Sequence, residues 1–382
     1  MTSPPLVHHP LRILRVLNAI QETAAPYHQF SLPVADQHTL TLCSYFEPTG
    51  PVSAQITLFS GDDSLKGFLR ALRTALQADH YEVIHVHSSQ VAFLMVLFHL
   101  LRLARYEAPT VYTVHTSYPN LKARNRFLTL VAFMMFHRIV FVSHASYASF
   151  PGMFRKIAGR RATVIQNGVD IDRIDLAVSQ EGRALSTGSF TVVAVGRLIA
   201  LKNPLSILEA FHRSGISDSC LIFIGDGALK EELITRCQTL GLTEQVIITG
   251  LLPRDEVYRQ LHSADLFVSA SQVEGLPLAV LEAMACRCPV LLSDIPSHRE
   301  IARTSDFIPV VPVHDVNSLA GEIKRLRAMT LEQRTGIGEK CRRIVEEHFN
   351  LTMMHKKYEE VFLQMVYGEK SSEMQSGNQK SD

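Results

Sequence analysis

Short apolar runs recur along almost the whole chain, each too brief for a helix, with helix-patterned segments between them. Runs that are apolar on both faces suit parallel strands covered from both sides, and the segments between them suit crossover helices. LRILRVLN (11–18), AQITLF (54–59), VIHVHSS (83–89), TVYTVHT (110–116), RIVFVSH (138–144) and TVIQNG (163–168) form a first series. A second begins at 191 with TVVAVGRL and continues through CLIFIGDG (220–227), VIITGL (246–251), LFVSAS (266–271) and PVLLSDIP (289–296). Alternation of this kind predicts an α/β chain built from doubly wound parallel sheets. Two series predict two facing Rossmann-like domains, with a ligand cleft along the carboxyl ends of their strands.

The stretch IDRIDLAVSQEGRALSTGSF (171–190) is polar and weakly periodic, so the boundary is placed there. The expected organisation is an N-terminal domain over 1–180, a second domain over 181–350, a helix over 351–367 that packs back on the first domain, and a polar disordered tail over 368–382. A length of 382 residues agrees with two domains.

Charge is nearly balanced, 38 Lys and Arg against 37 Asp and Glu, which argues against a nucleic-acid binder. The total averages two unlike halves. Residues 1–180 carry 16 basic and 11 acidic side chains, and the remainder 22 and 26. Between Glu82 and Asp170 the only acid is Glu107, while Arg102, Arg105, Lys122, Arg124, Arg126, Arg138, Arg155, Lys156, Arg160 and Arg161 fall there. Six scattered cysteines without a CxxC pair indicate reduced thiols in the cytoplasm. The N-terminus lacks the apolar core of a signal peptide, and the longest apolar runs, 91–101 and 127–136, fall short of the ~20 residues a bilayer span needs, so a soluble protein is expected. Lys122, Arg124 and Arg126 precede the second of those runs and Arg138 follows it. Basic residues beside an apolar helix fit peripheral docking on the inner face of a membrane; a buried helix with a solvated start is the competing reading.

Chemistry concentrates in the second half. In SQVEGLPLAVLEAMACRCPVLLSDIP (271–296) a strand leads into a helix through Gly275, with Pro277 suited to its first position. Amides of 275–278 would then form an anion site at the positive end of the helix. Glu282 sits among Leu278, Ala279, Val280, Leu281, Ala283, Met284 and Ala285, and a carboxylate there needs a partner. Glu274 and Glu282 are eight residues apart, up to about 12 Å along a helix, comparable to the reach from a ribose across a diphosphate to a sugar. In VAVGRLIALKNP (193–204) a strand ends at Gly196, and Arg197 and Lys202 follow in the loop before a helix at Pro204. Two cations there suit a diphosphate.

Other features read more plainly. His85 and His87 share one strand face without a carboxylate or cysteine at ligand spacing, so core or cleft edge is favoured over a metal site. Gly225-Asp226-Gly227 is a tight turn rather than a dinucleotide fingerprint, since Lys230 stands where that motif needs glycine. Cys286 and Cys288 read as packing residues.

GRLIALKNP, FIGDGALKEEL, VIITGLLPRDEV, LFVSASQVEGLPLAVLEAMACRCPV and LSDIPSHREI, in this order, resemble the nucleotide-sugar-binding half of the retaining GT-B glycosyltransferases, family 4 (glycosyl transferases group 1). IQNGVD, VIHVHS and YTVHTSY resemble its first half, so the likeness covers roughly 11–345. It implies that Arg197 and Lys202 hold the donor diphosphate and that Glu274 contacts the donor sugar. Backbone at Gly275, Leu276 and Pro277 lies along sugar and phosphate, and Glu282 takes the ribose hydroxyls. Gly250 and Leu251 adjoin the base, and His115 approaches the sugar near the reacting centre. Gly196 and Gly225 belong to the same donor site through their turns. The family's glycine-rich loop after the first strand is missing here, where AIQETAAPYHQFSLP (19–33) has no glycine, so the acceptor side departs from the pattern.

The function so implied is retaining transfer of a hexose from a UDP- or GDP-sugar to a saccharide or lipid-linked acceptor, in cell-surface polysaccharide or glycolipid synthesis. No metal or other cofactor is expected, since the cations and helix amides would stabilise the leaving diphosphate and no Asp-x-Asp motif is present. A nucleotide-sugar epimerase and a non-catalytic nucleotide-sugar-binding subunit are the alternatives.

Overall fold

The computed structural model describes residues 10–21, 25–103, 106–179, 189–302 and 305–368. The N-terminal nine residues, Arg105, and the tail beyond Gly368, read above as disordered, lie outside them. Among the described residues thirteen strands form two wholly parallel sheets. The first contains β1 (Arg12–Leu17), β2 (Thr39–Ser44), β3 (Thr57–Ser60), β4 (Val83–Val86), β5 (Thr110–Val114), β6 (Arg138–Phe141) and β7 (Ala162–Val164), in the order β3-β2-β1-β4-β5-β6-β7. The second contains β8 (Phe190–Val195), β9 (Ser219–Ile224), β10 (Val246–Gly250), β11 (Leu266–Ser269), β12 (Val290–Ser293) and β13 (Val310–Val311), in the order β10-β9-β8-β11-β12-β13.

Each sheet is α/β and doubly wound, as expected. Strand β2 was not foreseen, because TLTLCS alternates Thr with Leu and reads as half-exposed, although five of its six residues are buried. The two-residue β13 is too short to register as a pattern.

By internal packing the chain divides into one unit of residues 1–142, 150–165 and 355–382 and a second of 143–149 and 166–354. The division therefore lies at 165/166 rather than near 180. Residues Ile171–Ser179, read as linker, form a helix that buries Ile174 and Ala177. Ion pairs of Arg173 with Asp255 (2.8 Å) and Asp175 with Arg342 (2.7 Å) fix it to the second unit. Its mixed, mostly polar sequence hid a helix that buries Ile174 and Ala177, with partly exposed ion pairs added at its surface. The C-terminal helix Leu351–Tyr367 joins the first unit from His355 onward, where His355 Nε2 meets the Gln29 carbonyl at 2.6 Å and Tyr358 shares a hydrogen bond with Thr113.

All strands of a parallel sheet end on one edge, and the order reverses once in each sheet: between β1 and β4, and between β8 and β11. Each reversal leaves a gap where crossovers go to opposite faces of its own sheet, and residues just beyond the two strand ends flanking it border that gap. Arg197 and Lys202 follow β8, Glu274 follows β11, and His87 follows β4. All six cysteines are free thiols, five of them buried. Among the described residues no helix is long and apolar enough to cross a membrane.

Candidate functional site

The second unit assembles its polar groups on glycine turns. Gly196 ends β8 at φ 149°, and Gly225 ends β9 at φ 145°. A β-carbon at Gly225 would lie 2.0 Å from the Gly196 carbonyl oxygen, and one at Gly227 would lie 2.5 Å from that of Leu198. Glycine is required because backbone packs on backbone. The amide of Gly196 donates to Ile224, that of Leu198 to Asp226, and that of Gly225 to Gly250 (3.0, 2.9 and 2.8 Å). The loop bearing Arg197 and Lys202 is thereby tied to the ends of β9 and β10. Gly250 takes φ 74°, and Leu251 beyond it is exposed.

Lys202 closes a short 3-10 turn, Ala200–Lys202, before Asn203 takes the left-handed conformation and the helix Pro204–Ser214 begins. Gln272 braces this loop through its amide to Leu201 (2.9 Å) and its side chain to Ala200 (3.1 Å). The result is an ion pair between Lys202 Nζ and Glu274 Oε1 at 2.5 Å, joining residues 72 apart in sequence. Arg197 is exposed. Gly196, Arg197, Lys202, Ser269 and Ser271 line a crevice of about 20 Å³, room for little more than one water and too small to enclose a larger ligand.

Helix Leu278–Ala285 starts one residue later than expected, with Pro277 as its N-cap residue. Ser143 Oγ donates to the Gly275 carbonyl at 2.6 Å. Because the peptide is planar and trans, the Leu276 amide of that same unit then points away from Ser143. Pro277 offers no donor, so within 275–278 an anion could be met only by the amides of Gly275, Leu276 and Leu278.

Glu282 is buried, and its partner is Arg254, whose Nη1 lies 2.6 Å from Oε1; the Tyr258 hydroxyl is 3.4 Å from the same oxygen. Burial pushes the Glu282 pKa up while Arg254 draws it down. Sequence reasoning required a partner and could not name it, because Arg254 stands on another helix, Arg254–Ser263. His298 was also missed. It is buried beside Ser269, shares a bond with the Ser293 carbonyl (2.8 Å), feels Glu274 and Lys202, and is held neutral by burial, its pKa lowered to about 4.

His115 belongs to the first unit. It follows β5, is half-buried, and shares a 2.9 Å hydrogen bond between its Nε2 and Nδ1 of His87. Burial lowers its pKa to about 4. His85 and His87 are buried among Phe30, Tyr358 and Arg15. They are core groups, in line with the reading favoured from their spacing.

The basic stretch is partly structural. Arg161 donates to the carbonyls of Phe133, Met134, Phe136 and Ile157, capping the helix Ala123–Met135, and Arg126 lies 4.6 Å over the Tyr118 ring.

Residues 179–346 match the family described as Glycosyl transferases group 1, and residues 38–173 the one described as Glycosyltransferase Family 4. The chain is 26% identical over 351 residues to UDP-Gal:alpha-D-GlcNAc-diphosphoundecaprenol alpha-1,3-galactosyltransferase of Escherichia coli, covering 87% of each. It is 27% identical over 171 residues to N-acetylgalactosamine-N,N'-diacetylbacillosaminyl-diphospho-undecaprenol 4-alpha-N-acetylgalactosaminyltransferase of Campylobacter jejuni, 44% of this chain and 45% of that one. Among solved structures, Anabaena HepE in complex with UDP and glucose aligns with a TM-score of 0.70 at 19% identity, over 91% of this chain and 98% of that one. That likeness shows a common fold, the GT-B architecture.

Proposed function

The chain belongs to the glycosyl transferases group 1 family and is a glycosyltransferase, and from that premise we propose that it moves a hexose from a UDP-sugar to a lipid-linked saccharide with retention of configuration. The observation that carries the reading is the Lys202–Glu274 pair beside exposed Arg197, on glycine-built strand ends at the reversal of the second sheet. A UDP donor accords with the substrate in the Escherichia coli relative's name and with the UDP bound to HepE. A diphosphoundecaprenol-linked acceptor appears in the names of both relatives.

In this reading the donor diphosphate lies across Arg197, Lys202 and the Leu276 and Leu278 amides. Lys202 is shared: Glu274 holds the ammonium in place until phosphate competes for it, and Glu274 then accepts from a sugar hydroxyl. Arg254 keeps Glu282 ionised, so its carboxylate takes the ribose hydroxyls. As the bond from the anomeric carbon to phosphate oxygen breaks, the electron pair leaves with the diphosphate, where fixed positive groups await it. The acceptor hydroxyl oxygen bonds to the same face of that carbon, and its proton passes to the departing phosphate oxygen. The products are the glycoside and UDP. With Arg197 and Lys202 supplying the positive charge, the step proceeds without a divalent cation.

The test is UDP release across a panel of UDP- and GDP-sugars, with and without a polyprenyl-diphosphate saccharide, repeated with EDTA. Acceptor-dependent release from one UDP-sugar, unchanged by chelator, is expected. Conversion of donor without acceptor would establish the epimerase instead.

A lipid-linked acceptor also requires the enzyme to reach a membrane. On helices Ser89–Leu100 and Ala123–Met135, Leu100 and Phe127 are about three-fifths exposed, and Leu101, next to Leu100, and Met134, two turns after Phe127, are comparably open. Phe93 and Phe127 bring the helices together (ring centroids 6.4 Å), and Arg102, Lys122 and Arg124 are exposed along them. This surface fits an anionic bilayer. Salt-sensitive sedimentation with phosphatidylglycerol vesicles, lost in Phe127→Ser, is the expected result; absence of binding in the native chain would remove the membrane from the account.

A further inference from the structure

Beneath the reversal of the first sheet lies a polar cluster with an unusual internal accounting. His87 Nδ1 and His115 Nε2 share one hydrogen bond at 2.9 Å, and His85 Nε2 shares another with Thr113 Oγ1 at 2.8 Å. The remaining ring nitrogens of the two core histidines, His87 Nε2 and His85 Nδ1, are buried with no hydrogen-bond partner. Arg15 is buried beside them on β1, in register with His85, and has no carboxylate in ion-pair range among the described residues.

This fixes where the protons sit. A neutral imidazole carries one N–H. Were His115 to donate from Nε2, His87 would carry its proton on Nε2, leaving a buried N–H with no acceptor except the weak π surface of Phe30, 4.9 Å away. Were His87 to donate from Nδ1, its Nε2 would be a bare lone pair. Orphaned buried N–H groups are the rarer and costlier defect. Protonating both nitrogens of either ring would add a cation beside Arg15 in a dry site. The second arrangement wins.

We propose that His87 is a positioning residue that donates from Nδ1 to His115 Nε2 and thereby holds His115 as the neutral Nδ1–H tautomer, a hydrogen-bond donor at its half-buried end. Resting on the reading of His115 as a sugar contact, this makes His115 a donor to a hydroxyl of the transferred sugar and excludes it as the base that deprotonates the acceptor. The imidazole of histidine in water favours the opposite tautomer, so the assignment is a consequence of the fold.

Ring-nitrogen NMR of the full chain labelled with [15N]histidine, with His115 assigned by loss of its signals in His115→Gln, reads the tautomer without turnover. At pH 7 the native chain is expected to show His115 protonated on Nδ1. In His87→Leu it reverts to Nε2–H, and in His87→Asn, whose amide nitrogen stands where Nδ1 stood, the native pattern returns. Loss of about tenfold in kcat, the worth of one hydrogen bond, accompanies His87→Leu with KM nearly unchanged, and His87→Asn restores it. A native His115 that is Nε2–H or imidazolium, or a tautomer indifferent to His87→Leu, overturns the proposal. If the tautomer behaves as stated while His115→Gln retains full kcat, the sugar-contact reading falls and the His87–His115 assignment stands.

Discussion

The two sheets place polar residues at the same topological point and treat charge in opposite ways. At the reversal of the second sheet, charges come in pairs: Lys202 with Glu274, and Arg254 with Glu282. At the reversal of the first, Arg15 has no carboxylate, and the neighbouring histidines are kept neutral by burial. Paired ions can exchange partners when a charged ligand arrives. A neutral, aromatic-packed cluster can only orient. On the proposed function, the difference would match a second unit that meets a diphosphate and a first unit that presents hydroxyl-reading groups in a fixed geometry.

The largest effect that would break this contrast comes from stranding one charge of a buried pair. Arg254→Ala leaves Glu282 buried without its cation and is expected to lower unfolding free energy by about 3–5 kcal/mol, read by urea titration. Adding Glu282→Gln to that variant should recover much of the loss; no recovery would mean that the pair is not the source.

Lys202→Ala is next. Removing one positive group from the leaving diphosphate is expected to cut kcat by about 10²–10³, while the melting curve moves by roughly 1 kcal/mol or less, since the pair is partly exposed. Near-native turnover would show that the diphosphate lies elsewhere. Gly225→Ala, which forces a side chain against the Gly196 carbonyl at φ 145°, should cost roughly 1–3 kcal/mol in strain and raise the donor KM.

The smallest effect is a gradual one in acid. His38, His85, His87, His115, His137 and His355 of the first unit all have pKa values held below 6.5, against His298 in the second. Below 6.5 the unfolded chain binds protons that the folded one refuses, so stability present above that pH is lost as pH falls toward the folded values, about 4 for His115, His298 and His355. Hydrogen exchange at pH 5 and 7, corrected for intrinsic rates, should therefore show the first unit loosening before the second. Equal protection in both would end the comparison.

Much of the site could be read along the chain because its residues sit in local patterns. The apolar surroundings of Glu282 announced its burial, and glycines at strand ends announced close turns. Partners were a different matter. Arg254 lies 28 residues from Glu282, and Glu274 lies 72 from Lys202. Ser143 reaches Gly275 across 132 residues. Nothing in sequence spacing carries such distances. The helix at 171–179 was lost for a related reason: its buried Ile174 and Ala177 are few among polar residues, and its ion pairs reach side chains far along the chain.

The sequence by itself determined the two parallel sheets and the residues at their strand ends, because both-face apolar runs and turn glycines act over a few residues. The tertiary structure alone decided which charges are paired, which histidines are neutral and which nitrogen of His115 carries its proton. Those are properties of a surrounding dielectric and of unpaired buried atoms, and both exist only once distant segments have closed around them.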